Sequence, residues 1–285
     1  MSTLRVPGAT LYYEIQGTGP VLLAIPGGPA DAGVFAGLAA RLRDRYTVVA
    51  YDPRGNSRSL PDDPDADQDV GVHGDDAAAL LAAVADAPAD VLGSSGGAQV
   101  GLDLAARHPG RVRTLVAHEP PCGELLPDAA AVRAAMEDVY QTYRRHGVEA
   151  ALRRFEAALG FDGAPPEPPP GKPTPEMLEG WRRMAGNVEY FLAHGLRPVN
   201  GYTPDVAALR AGPARVVVGA GATSAGQLAH RAALALAERL GAEPVTFPGD
   251  HGGFGSRPGP FAATLDEVLR GGPAPPPAHE ATDFL

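Results

Sequence analysis

The chain has 285 residues, 44% of them hydrophobic and 20% charged, which suits one substantial globular domain with room for an inserted subdomain. Its formal net charge of −10 works against nucleic acid and anionic membrane surfaces as partners and leaves a small-molecule substrate open. Cys122 is the single cysteine, so no internal disulfide can form and a reducing compartment is the simplest setting.

The first residues lack the apolar core of a signal peptide, and no apolar run approaches the ~20 residues a membrane helix needs. A cytoplasmic protein without membrane or nucleic-acid partners is therefore expected. The composition does not fix an oligomeric state.

In chain order, Tyr12, Tyr13 and Ile15 lie in an early alternating run. Val21 to Ile25 is a continuous apolar run ending in Pro26-Gly27-Gly28-Pro29. Tyr46 to Tyr51 ends in Asp52-Pro53-Arg54-Gly55, and Asp90-Val91-Leu92 enters Gly93-Ser94-Ser95-Gly96-Gly97. Arg113 to Ala117 ends at His118-Glu119, Arg215 to Val218 at Gly219-Ala220-Gly221, and Pro244 to Phe247 at Pro248-Gly249-Asp250-His251. Strands that are apolar throughout belong to parallel sheets covered on both faces, and their alternation with helical patterns predicts a doubly wound, mostly parallel α/β domain. Ligands bind such sheets at the carboxyl ends of the strands, where all these Gly-rich or polar ends would meet.

The strand rhythm stops between 122 and 204. Three helical stripes are readable there: Val132 to Tyr143, Val148 to Leu159 and Met177 to Phe191. Between the second and third lies a Pro-rich stretch, 163–175, that cannot be helical. The expected organisation is an α/β core from 1–121 and 205–270, a helical lid over 122–204 and a disordered Pro-rich tail from 271. The acidic loop from Pro61 to Asp69 reads as a solvated charge run rather than a metal site. No cofactor and no metal are implied.

Gly93-Ser94-Ser95-Gly96-Gly97 fits G-x-S-x-G, with a buried strand before it and a helical pattern after it. A sharp strand-to-helix turn tolerates only small neighbours and presents the serine at a helix N-terminus, which favours developing negative charge. Ser94 is a rival, but the spacing to both glycines selects Ser95. A serine hydroxyl needs a base, and of eight histidines His251 stands out, following the last strand between small residues. Two backbone N–H groups are needed for an oxyanion hole, and Gly96 and Gly28 are placed to supply them.

Taken together, Gly-Gly-Pro after a strand, Asp52-Pro-Arg-Gly, Gly93-x-Ser95-x-Gly97 and Pro248-Gly-x-His251-x-Gly resemble the α/β-hydrolase superfamily over roughly residues 5–122 and 200–270. The resemblance implies a serine hydrolase of the esterase type, with Asp52-Pro-Arg-Gly mainly structural. An Asp nucleophile, found in the epoxide hydrolases and haloalkane dehalogenases of this superfamily, is replaced here by Ser95. The superfamily's triad acid usually follows the strand that here is Arg215–Val218, yet Gly219-Ala-Gly-Ala-Thr-Ser224 contains no carboxylate. Some members carry the acid after the strand following the nucleophile helix, which nominates Glu119. Asp205 and Asp250 are weaker alternatives, and a Ser–His dyad without an acid is the remaining one.

The reaction so implied is acyl transfer to water, cleaving an ester, thioester, lactone or amide of a small hydrophobic metabolite. Tyr140, Tyr143, Trp181 and Tyr190 in the insertion are candidate substrate contacts. The competing readings are a biosynthetic lyase or cyclase using the same Ser–His pair for proton transfer, and a ligand-binding module with a vestigial triad.

Overall fold

The computed structural model describes residues 2–161 and 172–271. Most of the Pro-rich stretch and nearly all of the C-terminal tail lie outside the described residues. Among the described residues nine strands form one sheet: β1 (Ser2–Val6), β2 (Ala9–Gln16), β3 (Val21–Ile25), β4 (Thr47–Tyr51), β5 (Leu60–Pro61), β6 (Ala89–Ser94), β7 (Val112–His118), β8 (Arg215–Gly221) and β9 (Val245–Phe247). Their order is β1-β2-β4-β3-β6-β7-β8-β9, with β5 beside β2. Every pair from β4 to β9 along this path is parallel, while β1 and β2 form an antiparallel hairpin at one edge. The sheet is thus the mostly parallel one that the apolar runs imply.

The sequence reading begins at Tyr12 and overlooks β1, because Ser2–Val6 alternates exposed and half-buried positions and carries little apolar signal. Pro7-Gly8 supplies the turn, Gly8 at φ 77°.

Helices α1 (Ala36–Leu42), α2 (Val70–Val84) and α3 (Gly96–Arg107) link the first strands. The central strands are buried on both faces. One apolar cluster joins Leu23, Val49 and Val91 to α2 and α3, and another joins Leu22, Val48 and Leu92 to α1 and the C-terminal helix. At the end of β4, Asp52 is fully buried and accepts hydrogen bonds from Ala32 N, Arg58 N and the Arg58 guanidinium. Such a satisfied buried carboxylate fastens the neighbouring strand ends to one another.

The segment after β7 holds α4 (Ala129–Leu159), α5 (Pro175–Tyr190), a π-helical turn over Phe191–Gly195, and α6 (Leu196–Gly201). The first two expected stripes are joined in α4, with Gly147 at φ 79°, ψ −176° breaking the helix between them. Val132, Met136, Val139 and Tyr140 bury one face together with Phe191, Leu192 and Leu196. The same cluster includes Leu228 and Ala232 of α8 (Leu228–Leu240), which follows the short α7 (Val206–Ala211) and β8. The insertion therefore packs on the core through its apolar stripes. The chain ends in α9 (Gly253–Ser256) and α10 (Pro258–Leu269). Among the described residues, no helix is long and apolar enough to cross a membrane.

Candidate active site

Strands β3, β6, β7, β8 and β9 lie side by side, so the loops leaving their carboxyl ends form one contiguous rim. The tightest turn on that rim is at Ser95. Its φ of 56° and ψ of −127° lie in a region that residues with side chains rarely occupy, and α3 begins at the next residue. Such strain persists only where the surroundings over-determine it. Here the amide of Ser95 donates to His118 O at 2.9 Å, and Ser95 O accepts from Ala98 N. The glycines have a steric reason: a Cβ on Gly93 would lie 2.4 Å from Gly97 O, and one on Gly97 would lie 2.1 Å from Ile25 O. Ser95 is the one residue between Ala89 and Ala105 that is only partly buried, every other being buried. Ser94, the rival by composition, is buried inside the strand.

The loop after β3 lies against this turn. A Cβ on Gly27 would sit 2.6 Å from Gly96 N and 2.8 Å from Ser95 Cβ. Gly28 follows at φ 56°, with open space where a side chain would be. Asn56 holds the loop in place, its amide donating to Gly28 O at 3.0 Å and to Ala30 O at 2.9 Å. Helix α5 is tied to the same loop. Asn187 donates to Pro29 O at 2.8 Å, and the Arg183 guanidinium meets the buried Asp31 at 2.6 Å.

Glu119 is fully buried immediately after β7, with its backbone at φ 47°. One carboxylate oxygen lies 2.6 Å from Nδ1 of His251. The other accepts from Gly221 N at 2.8 Å and from the Ser224 hydroxyl. The loop after β8 thus supplies donors where the superfamily's pattern places a carboxylate. A side chain on Gly221 would meet the Asp250 backbone at 2.9 Å and Ser224 Oγ at 2.7 Å, so position 221 itself has no room for an acid.

Burial opposes ionisation of Glu119 and is the largest single influence. The hydrogen bond and charge of His251, with the Ser224 hydroxyl, outweigh it and hold the carboxyl at about 2. The other carboxylates weighed for this position are engaged elsewhere: Asp250 accepts from Gly252 N in its own turn, and Asp205 caps α7 through Ala208 N.

Sequence reasoning did not find Gly221, Ser224 or Asn56 as parts of this arrangement. A hydroxyl in an otherwise Gly/Ala loop facing the strand of Glu119 was the available signal for Ser224. None of the insertion aromatics Tyr140, Tyr143, Trp181 and Tyr190 lines the cleft at Gly28 and Gly96. Tyr140 is buried beneath Arg197, and Tyr143 packs beside it. Trp181 is 42% exposed, and Tyr190 lies against Gly55 and His194. The cleft, narrow at about 30 Å³, has Phe191 and Val199 on its insertion side. In the acidic loop, Asp62 pairs with Arg5, Asp67 lies 3.2 Å from His194, and Asp69 caps α2.

His118 packs edge-on against Phe247 and Phe261, its ring centre 6.4 Å from that of His251. Among the described residues neither of its nitrogens has a hydrogen-bond partner, and burial pushes its pKa down to about 4. Burial does the same to His73. In the unfolded chain these imidazoles take up protons near 6.5 and Glu119 near 4.5. Below 6.5 the unfolded chain therefore binds more protons than the folded one, and stability falls as pH falls. The histidine contribution is complete above 6.5 and is lost on the way down to about 4; that of Glu119 is lost between 4.5 and about 2. The urea midpoint is expected to hold steady from pH 8 to 7 and then decline, with a shallower decline in His118→Leu. A midpoint level between pH 6.5 and 4.5 contradicts the buried, neutral state of the two histidines.

Comparison with known proteins agrees with this architecture. Residues 20–159 match the model of the alpha/beta hydrolase fold family. An uncharacterized hydrolase of Bacillus subtilis, YraK, is 35% identical over 275 residues, covering 94% of this chain and 95% of the relative. The 2-(acetamidomethylene)succinate hydrolase of Mesorhizobium japonicum is 36% identical over 108 residues, 38% of each chain. In fold, the enol-lactonase of Burkholderia xenovorans superposes with a TM-score of 0.69 at 20% identity, over 94% of this chain and all of that one. The chain belongs to the α/β-hydrolase family, and its relatives make it a hydrolase.

Proposed function

We propose that the protein is a serine hydrolase that cleaves an ester, thioester, lactone or amide bond of a small, uncharged, mainly apolar metabolite through an acyl-enzyme on Ser95. The observation that carries this reading is the alignment of three strand ends: a strained Ser95 after β6, Glu119 after β7 and His251 after β9, with His251 Nδ1 2.6 Å from the Glu119 carboxylate.

In this mechanism Glu119, ionised at neutral pH, accepts the Nδ1 proton of His251 and so leaves Nε2 free to act as the base. His251 takes the proton of Ser95 as its oxygen attacks the carbonyl, and then delivers it to the leaving group. The amides of Gly28 and Gly96 donate to the oxyanion, and the N-terminal end of α3 adds its partial positive charge. Water deacylates the serine by the same steps in reverse. The helices after β7, held on the Gly28 loop by Arg183 and Asn187, act as a lid.

The test is intact-mass spectrometry after exposure to a fluorophosphonate. The wild type is expected to gain one adduct and Ser95→Ala none. An unlabelled wild type removes the acyl-enzyme and brings proton-transfer chemistry or ligand binding forward.

A further inference from the structure

Asn187 is the one buried residue of α5, while Leu178 and Trp181 on the same helix are 41% and 42% exposed. Apolar burial therefore does little to seat this helix. Two polar side chains one turn apart do it instead. Arg183 reaches the buried Asp31, and Asn187 commits both its amide protons and its oxygen to the loops below. The amide donates to Pro29 O at 2.8 Å and to Ser57 Oγ at 2.9 Å, and Oδ1 accepts from Ser57 N at 2.7 Å. Ser57 in turn donates to Asp31 at 3.0 Å and holds a backbone φ of 50°, strain that persists because these bonds over-determine it. Apolar contact is non-directional, whereas hydrogen bonds weaken steeply away from their geometry. The network thus sets where α5 sits against the loop after β3.

That loop carries the Gly28 amide. Gly28 N lies against the Ser95 turn, 3.5 Å from where a Cβ on Gly96 would be. Gly28 N–H and Gly27 C=O belong to one trans peptide and point in opposite directions, so fixing one aims the other. Gly27 O accepts from Ala30 N at 3.2 Å, which closes the turn 27–30. The three carbonyls that follow Gly27 are each held from outside the turn: Gly28 O and Ala30 O by Asn56, and Pro29 O by Asn187. Asn56 belongs to the core, after β4, and Asn187 to the insertion. Asn187 lines no part of the cleft beside Gly28 and Gly96, so its route to the reacting atoms is the loop.

Building on the acyl-transfer reading above, we propose that Asn187 is a positioning residue for the oxyanion: its bond to Pro29 O holds the turn that aims the Gly28 N–H, so the oxyanion hole is complete only while α5 is docked. The insertion then does more than cover the site. An enzyme with α5 lifted away has Ser95, His251 and Glu119 in place and one oxyanion donor loose.

The kinetics of fluorophosphonate labelling test this in the full-length enzyme, because the phosphoryl oxygen takes the oxyanion's place during attack by Ser95. In Asn187→Ala the limiting labelling rate is expected to fall roughly ten- to a hundredfold, with the half-saturating reagent concentration changed by less than about twofold. The kcat values for p-nitrophenyl acetate and p-nitrophenyl butyrate are expected to fall by one common factor with KM little changed, since both esters form the same oxyanion. Asn187→Asp has the same shape and keeps an acceptor for Ser57 N but loses the donor to Pro29 O. The same loss is expected there, and this variant gives the readout should the alanine variant not fold. Arg182→Ala, at an exposed position of the same helix, is expected to behave as the wild type. Asn187 variants labelled at the wild-type rate, a loss confined to KM, a loss that differs between acetate and butyrate, or an equal loss in Arg182→Ala each overturn the proposal. All of these leave acyl transfer standing, since Ser95 is still labelled. A wild type that is not labelled removes acyl transfer itself, and this proposal with it.

Discussion

Glu119→Gln is expected to lower kcat by roughly 10³- to 10⁴-fold while the protein remains folded and substrate affinity changes little. The side chains have nearly the same shape, so the loss isolates charge and hydrogen-bond polarity. In the native site both carboxylate oxygens accept, one from Gly221 N and Ser224, the other from His251. A glutamine can keep its carbonyl oxygen toward Gly221 and Ser224, but its NH₂ then faces His251 and donates to Nδ1. The imidazole is driven to the tautomer with its proton on Nε2, where it cannot receive the proton of Ser95, and its cation loses the adjacent negative charge. Steady-state kinetics, with nitrogen-15 NMR of the imidazole to report the tautomer, check both halves of this account. Activity within tenfold of wild type would leave His251 served by another acid or by none, and Glu119 would be a structural residue of the β7–β8 contact.

The ease of reading differs sharply between parts of this site, for physical reasons. Strand ends were legible because a fully buried parallel strand leaves a continuous apolar run, and the turn at Ser95 because small residues are compulsory where backbone meets backbone. Glu119 could be nominated only because the segment 219–224 lacks a carboxylate; nothing local marks it, and its backbone at φ 47° is a tertiary consequence of pairing its amide with Gly219 O. Gly221 and Ser224 were invisible as donors, since a backbone N–H has no sequence signature and a lone serine has many uses. The insertion aromatics show the opposite case. Tyr140 and Tyr143 carry a clear helical stripe, but a stripe records which face is buried and not what it is buried against. Here it is α8 and the rest of the insertion.

Gly27→Ala is expected to cost roughly 10²- to 10³-fold in kcat, whereas Gly28→Ala, one residue on, is expected to cost far less. The two glycines are required for different reasons. A Cβ on Gly27 would lie 2.6 Å from both Gly96 N and Ser94 O and 2.8 Å from Ser95 Cβ, contacts with the backbone of the turn that no rotamer change relieves. The loop must therefore move away from Ser95. A shift of that kind withdraws the Gly28 amide from the oxyanion, and loss of one such donor costs about 10² to 10³ in rate. Asn56 and Asn187, which hold Gly28 O, Ala30 O and Pro29 O, resist the movement, so part of the strain should also appear as lowered stability. At Gly28 nothing lies within 4 Å of the added atom, and the penalty is the left-handed backbone at φ 56°, roughly 1–2 kcal/mol of stability with the N–H still in place. Paired measurements of kcat and urea midpoint on the two variants separate these effects: Gly27→Ala should lose rate out of proportion to stability, and Gly28→Ala the reverse. Comparable rate losses in both would mean that the loop tolerates displacement at Gly27, and that the close approach of β3 to the Ser95 turn is a packing contact without a part in stabilising the oxyanion.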